Sequence, residues 1–219
     1  MGAARIAVVD GTGARNPALK LSQEMTGMER TFVMVKPDGV KRGLVGQIIA
    51  RFERCGLKLI GLKMTHPTKK LVEAHYPSTD KWFTIVGEKT LTSYEELGLD
   101  PREHLGTDSA LEIGKTVKKW LVDFISSGPV VCMVWEGNHA IENVRRIVGN
   151  TLPIKAQPGT IRGDFTIDSP DLANINHRPI RNIVHASGDP EEAAHEVSLW
   201  FSEGELFDYL RVDAEIMFG

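Results

Sequence analysis

Residues 29–64 read ERTFVMVKPDGVKRGLVGQIIARFERCGLKLIGLKM, and this stretch decides the fold. Glu29 to Lys36 is apolar on both faces at its centre, Phe32-Val33-Met34-Val35, as an interior strand covered from two sides would be. Pro37-Asp38-Gly39 predicts a turn. Leu44, Val45, Ile48, Ile49 and Phe52 then recur at helical spacing, and Gly56 supplies the stop. Leu57 to Met64 sets Lys58 and Lys63 among apolar residues and reads as a second strand. The short link between helix and second strand sends the helix straight back onto the sheet.

Similar units follow downstream. Thr68 to Tyr76 predicts a short helix with Thr68 as N-cap. Residues 77–116 are punctuated by Pro77, Gly87, Gly98, Pro101, Gly106 and Gly114, which predicts short helices and loops on the surface. A helix from Val117 to Ile125 stops at Ser126-Ser127-Gly128, and Pro129 to Trp135 (PVVCMVW) is a buried strand. Asn138 to Val148 is a helix with Ala140, Ile141, Val144, Ile147 and Val148 inward. Residues 150–181 read as a long loop, a length that within a compact domain is usually functional. A short strand over Asn182 to Val184 precedes a helix from Pro190 to Trp200, and a tail carrying Phe207, Tyr209 and Leu210 packs back. Asp189 is a good N-cap for that last helix, with Pro190 at its first position and Glu191 and Glu192 at its positive end. The alternation predicts an α/β fold with a mainly antiparallel or mixed sheet.

Residues 1–27 are mostly small or polar after Arg5-Ile6-Ala7-Val8-Val9 and read as a mobile extension, with Met28 able to open the domain itself. Gly11-Thr12-Gly13 imitates a dinucleotide fingerprint, but position 16 is Asn16 and no binding unit follows. A net charge of −3 carries no basic footprint for nucleic acid, and no nucleic-acid partner is expected. Cys55 and Cys132, the two cysteines, sit in apolar surroundings and point to a reducing compartment. With no membrane-length apolar run and no signal peptide, the expected address is cytoplasmic.

Several residues are placed to do chemistry. His185, between Val184 and Ala186, stands just before the Asp189 helix start, so it is either a nucleophile or general base, or a half-buried histidine closing a strand. Lys36 is delivered by a buried strand into a turn, where a cation meets phosphate or lies solvated. Arg162, in Pro158-Gly-Thr-Ile-Arg-Gly-Asp164, can fork onto phosphate oxygens or brace the loop through Asp164. Arg145 lies on a helix that ends near Thr151, about 100° around from Arg146. Glu196, one helical turn beyond Glu192, could fold back to the imidazole and set its tautomer. No His/Cys cluster has zinc spacing.

Taken together, KPDGVKRGLVG from Lys36, SGPVV from Ser127, WEGN from Trp135, PGTIRGD from Pro158 and NIVHAS from Asn182 resemble, in order, the motifs of the nucleoside diphosphate kinase family. The resemblance spans about residues 28–215, and an ordered set of this kind is far more specific than any one match. It implies a ferredoxin-like α/β sandwich over residues 28–219, with insertions near 78–116 and 168–180. It implies transfer of the terminal phosphate of a nucleoside triphosphate to a nucleoside diphosphate, by a ping-pong route through a phosphohistidine. Mg²⁺ arrives with the nucleotide, with no metal ligand on the chain.

By the same resemblance His185 is the nucleophile, Glu196 orients it and Ser187 supports it. Lys36, Tyr76, Arg145, Thr151, Arg162 and Asn182 hold phosphates and ribose, and Trp82 and Phe83 are both candidates for stacking on the base. A homo-oligomer is implied, a hexamer first, with dimer or tetramer as alternatives. The chain departs from the family in His185-Ala-Ser-Gly-Asp189, where the acid is displaced by one position. A non-catalytic relative with a structural His185 is the rival reading; the survival of His185, Lys36 and Arg162 speaks against it.

Overall fold

The apolar run 32–35 forms the centre of β1 (Met28–Val35), an inner strand of a four-stranded sheet ordered β2-β3-β1-β4. The structure is a computed structural model and describes residues 28–218, so the extension 1–27, with Gly11-Thr12-Gly13, lies outside the described residues. After β1 come α1 (Pro37–Lys41), α2 (Val45–Arg54), β2 (Lys58–Thr65), α3 (Lys69–His75), α4 (Asp80–Glu96), α5 (Pro101–Leu105) and α6 (Ala110–Ile125). Then follow β3 (Val130–Asn138), α7 (Ala140–Val148), α8 (Ile161–Phe165), α9 (Pro170–Ile175), β4 (Val184–Ala186), α10 (Pro190–Trp200) and α11 (Ala214–Phe218). Every pairing is antiparallel, which settles the choice between an antiparallel and a mixed sheet.

Alternation along β1 explains its composition. Val33 and Val35 meet Ile48 and Phe52 of α2 and Val144 and Val148 of α7, while Phe32 and Met34 meet Val72 of α3, Val122 and Ile125 of α6, and Trp200 of α10. Both crossover helices, α2 and α7, thus lie on one face, the ferredoxin-like arrangement, and α3, α6 and α10 cover the other. The same period of two places His185. Val184 and Ala186 belong to the α2/α7 layer, so the imidazole between them emerges on the opposite face, across from Met34.

Several expectations need correction. Pro37-Asp38-Gly39 opens the helical turn α1 rather than a simple turn. Residues 77–116 include one short surface helix, α5, as expected, but α4 runs 17 residues, and α6 begins at Ala110, not Val117. The glycines misled because they serve close approach rather than interruption. A Cβ at Gly87 would fall 1.8 Å from the Ala110 carbonyl oxygen, and one at Gly114 would fall 1.9 Å from that of Phe83. Each helix therefore presses a glycine onto the other's backbone, and α4 and α6 cross in contact. Gly87→Ala is expected to cost about 1–3 kcal/mol, since backbone rather than a flexible side chain must move. Gly46→Ala, on α2 with nothing within 4 Å of the new Cβ, should be neutral or slightly stabilising. Thermal melts of the two variants check this; equal melting temperatures would contradict it.

The 150–181 loop holds a 3-10 turn at Pro153–Lys155 and helices α8 and α9. Buried Asp168 ties its end together, accepting from Arg178 at 2.6 and 2.9 Å and from the Arg181 amide at 2.7 Å. The predicted strand at 182–184 is displaced to Val184–Ala186, for a reason that belongs to the site. The tail docks along β2, where Phe207 N–H donates to Ile60 O at 2.7 Å and the Tyr209 hydroxyl to Leu59 O at 3.0 Å. Cys132 is buried as its apolar setting predicts, Cys55 is exposed at the end of α2 instead, and the two are unpaired. Among the described residues no helix is long and apolar enough to cross a membrane.

Candidate active site

The site begins with a strained turn. Ile183 adopts φ +58°, a left-handed conformation that a β-branched residue rarely takes. Val184 N–H closes back on Asn182 O at 2.7 Å, so residues 182–184 turn instead of extending, and β4 starts late. Two contacts hold the strain in place: Ile183 N–H donates to Asp38 Oδ2 at 3.1 Å, and Ile183 O accepts from Lys36 N–H at 2.9 Å. A Cβ on Gly39 would meet Val35 Cγ1 at 2.7 Å and Ile183 O at 3.0 Å, so this turn of α1 must be glycine. Strain held this firmly marks a place where side-chain direction matters. Here it turns the chain between Asn182 and the strand that carries His185.

Asn182 joins two of the candidate groups. Its Oδ1 accepts from Lys36 Nζ at 2.7 Å and its Nδ2 donates to Thr151 O at 2.8 Å. Lys36 is buried, and its pKa falls to about 8, first through burial and then through the Arg162 charge, with Asp38 opposing. Arg162 lies on α8 and is buried rather than loose in a loop. It donates through Nε to Asn182 O at 3.3 Å, Nη1 to Gly149 O at 2.9 Å and Nη2 to Val184 O at 2.7 Å. The pairing with Asp164 does not form; Asp164 bonds Arg51 at 2.5 Å and the Gly159 amide at 2.7 Å. A guanidinium has five N–H donors, so Arg162 braces three carbonyls and keeps two donors for a ligand. Burial, then the Arg145 charge, bring its pKa down to about 10, still a cation at neutral pH. Arg145 is exposed in the last turn of α7, makes no side-chain hydrogen bond among the described residues, and lowers the proton affinity of His185.

On the other side of His185 the environment is buried and carboxylate-centred. His185 Nε2 lies 2.7 Å from Glu196 Oε1, and Ser187 Oγ donates to Glu196 Oε2 at 2.6 Å. Ser187 in turn accepts from Phe32 N–H at 3.2 Å. Glu196 is 1% exposed, and burial above all raises its pKa. Burial and then Lys36 lower the pKa of His185, so the imidazole is neutral at pH 7. With Nε2 held by the carboxylate, the lone pair is on Nδ1. The displaced acid has a role as well: Asp189 caps α10 by accepting from Glu192 N–H at 2.8 Å, and Gly188 N–H donates to Glu192 Oε2 at 2.5 Å.

The third wall is aromatic. Tyr76, at the end of α3, is 6.2 Å from Trp82 between ring centroids, and Trp82 is 5.7 Å from Phe83, both half-buried in the first turn of α4. Burial, then Glu196, push the Tyr76 phenol up, so it remains a donor. Thr151 is exposed and is tied to Asn182 through its carbonyl. Three residues escaped sequence reasoning. Asp38 was read only as part of a turn. Lys118 of α6 donates to Tyr76 O at 3.0 Å, Pro77 O at 3.1 Å and Ser78 Oγ at 2.5 Å. His75, buried beside Glu196, is the third; nothing in a histidine at the end of a short helix announces such a contact.

The family model described as Nucleoside diphosphate kinase matches residues 29–92 and 103–206. A curated nucleoside diphosphate kinase from Pyrobaculum aerophilum is 50% identical over 181 residues, 83% of this chain and 99% of the relative. A crystal structure of an NDP kinase from the same organism superposes with a TM-score of 0.81 at 49% identity, covering 83% of this chain and all (100%) of that one. A transition-state mimic of the Borrelia burgdorferi nucleoside-diphosphate kinase, with bound vanadate and ADP, superposes with a TM-score of 0.68 at 35% identity, covering 86% and 96% of the two chains.

Proposed function

Because the chain belongs to the nucleoside diphosphate kinase family and is a phosphotransferase of that kind, we propose that it works by a ping-pong mechanism through a phosphohistidine on His185. The observation that carries this reading is the 2.7 Å contact of His185 Nε2 with Glu196, which leaves Nδ1 free to attack. In the first half-reaction Nδ1 forms a bond to the terminal phosphorus of the nucleoside triphosphate. The bond from phosphorus to the bridging oxygen breaks, and its electron pair leaves with the nucleoside diphosphate. The imidazole ring becomes cationic and shares its charge with Glu196. A second nucleoside diphosphate reverses these steps and takes the phosphoryl group.

Lys36, Arg145 and Arg162 neutralise the phosphates, while Tyr76, Thr151 and Asn182 supply directed hydrogen bonds to phosphates and ribose, in keeping with a reaction governed by positioning and charge. The base lies against Trp82 or Phe83. Mg²⁺ comes as part of the nucleotide substrate. Among the described residues the cluster of possible metal ligands is His75, His185 and Glu196, rich in nitrogen and committed to hydrogen bonds, whereas Mg²⁺ prefers oxygen. The protein is a cytoplasmic homo-oligomer in this reading, the hexamer first; exposed Leu62 and Met64 on the edge strand β2 supply apolar contact surface.

Incubation with γ-labelled ATP and Mg²⁺, without acceptor, tests the mechanism. Label should appear on the protein, be lost in acid, survive alkali, and discharge on adding a nucleoside diphosphate. Initial rates should give parallel double-reciprocal lines. Acid-stable label would point to Ser187 or another reaction.

Lys36 sets a further expectation. With its pKa lowered to about 8, the free enzyme loses this charge as pH rises, so kcat/KM should fall above about pH 8. Lys36→Arg, which stays charged, should remove that limb. The stability sign is opposite. Between about pH 8 and 10.5 the unfolded chain holds the Lys36 proton and the folded chain does not, so this residue makes stability rise with pH in that window. A wild-type basic limb unchanged in Lys36→Arg would show that another group sets it.

A further inference from the structure

His75 is the one group of the buried cluster that the transfer chemistry leaves unused. It ends α3, is 4% exposed, and stands edge-on to His185 with 4.6 Å between ring centroids. Trp200 Nε1–H donates to its Nδ1 at 3.3 Å, Glu196 Oε1 also stands 3.3 Å from Nδ1, and its Nε2 has no hydrogen-bond partner. Nδ1 cannot serve both neighbours. If it accepts from Trp200, its lone pair faces a carboxylate oxygen. If it carries the proton, it donates to Glu196 and Trp200 gives up its acceptor. A hydrogen bond to a charged group outweighs one between neutral groups, so the carboxylate takes precedence.

We propose that His75 is a positioning residue for phosphoryl transfer, neutral and protonated on Nδ1, whose hydrogen bond to Glu196 keeps that carboxylate ionised and so keeps His185 in the reactive tautomer. The inference rests on the mechanism given above. Its logic is one of proton placement. A protonated Glu196 would donate to His185 Nε2, move the imidazole proton to Nδ1 and remove the attacking lone pair. Burial pushes Glu196 toward that state. The groups facing it are His185 of β4, Ser187 just beyond β4, His75 and Tyr76 at the end of α3, Asp189 at the N-cap of α10 and His195 on α10. Of these, His185, Ser187 and His75 reach its oxygens, and His185 is occupied by the reaction.

His75→Phe keeps the ring and removes the donor; His75→Asn places an amide N–H near the position of Nδ1. In His75→Phe the acid limb of kcat/KM should move up by about one pH unit, so that below both limbs kcat/KM falls about tenfold. Well above the limb the loss should shrink, as expected when the reactive fraction is what changes. His75→Asn should restore the wild-type limb. A wild-type pH profile in His75→Phe, whatever its melting temperature, would overturn the proposal, as would equal shifts in both variants. Should His75→Phe not fold, His75→Gln replaces it: its amide reaches past Nδ1 and should shift the limb where Asn does not. A wild-type chain that transfers no phosphate in the same assay would instead sink the kinase mechanism itself.

Discussion

Replacing His185 is expected to lower phosphoryl transfer by on the order of ten-thousandfold or more and to abolish acid-labile labelling, because its Nδ1 is left free to attack whereas the unpartnered Nε2 of His75 is buried. The choice of substitute matters. Alanine would leave Glu196, 1% exposed, with one fewer partner, and a stability loss would then confuse the result. Glutamine is the better variant, since its amide N–H can stand where Nε2 does and keep the 2.7 Å contact with Glu196. His185→Gln should melt close to wild type, still bind nucleotide and form no phosphoenzyme. Retained turnover or label in that variant would remove His185 from the chemistry.

Arg162→Ala is expected to lower turnover by on the order of a hundredfold or more, as removal of one charged donor at a developing phosphoryl charge does. It should also lower the melting temperature. The guanidinium holds the carbonyls of Asn182, Gly149 and Val184 at 3.3, 2.9 and 2.7 Å, and buried acceptors without donors cost about 1–3 kcal/mol each. Arg162→Lys separates charge from geometry. Lysine restores a cation but cannot fork onto three carbonyls and a phosphate together, so most of the turnover loss should remain. An Arg162→Ala enzyme that melts early yet turns over normally would leave Arg162 a brace and nothing more. Comparing kcat with KM distinguishes transition-state loss from weaker nucleotide binding.

Much of this was legible in the chain. The double-sided apolar run 32–35 announced an inner strand because a strand covered on both faces needs no polar alternation. The Asp189-Pro190 start of α10 was readable because capping is a local interaction. The helix α4 and the part of α6 before Val117 were not, because Gly87 and Gly114 weaken a helix locally and stabilise it only through the partner it touches. Arg162 was readable as a cation, and as a brace only through nearby Asp164, since its actual acceptors come from two other segments, at Gly149 and at Asn182 and Val184.

The sequence by itself therefore determined the family, the alternation of strands and helices, and the presence of residue types suited to phosphate chemistry. All of these rest on local pattern and ordered motifs. Only the tertiary structure decided which nitrogen of His185 is free, that Ile183 is strained to turn the chain before β4, and that His75 shares Glu196 with His185. Those facts depend on contacts between residues far apart in the chain, where burial sets proton positions and no spacing along the sequence encodes the distance.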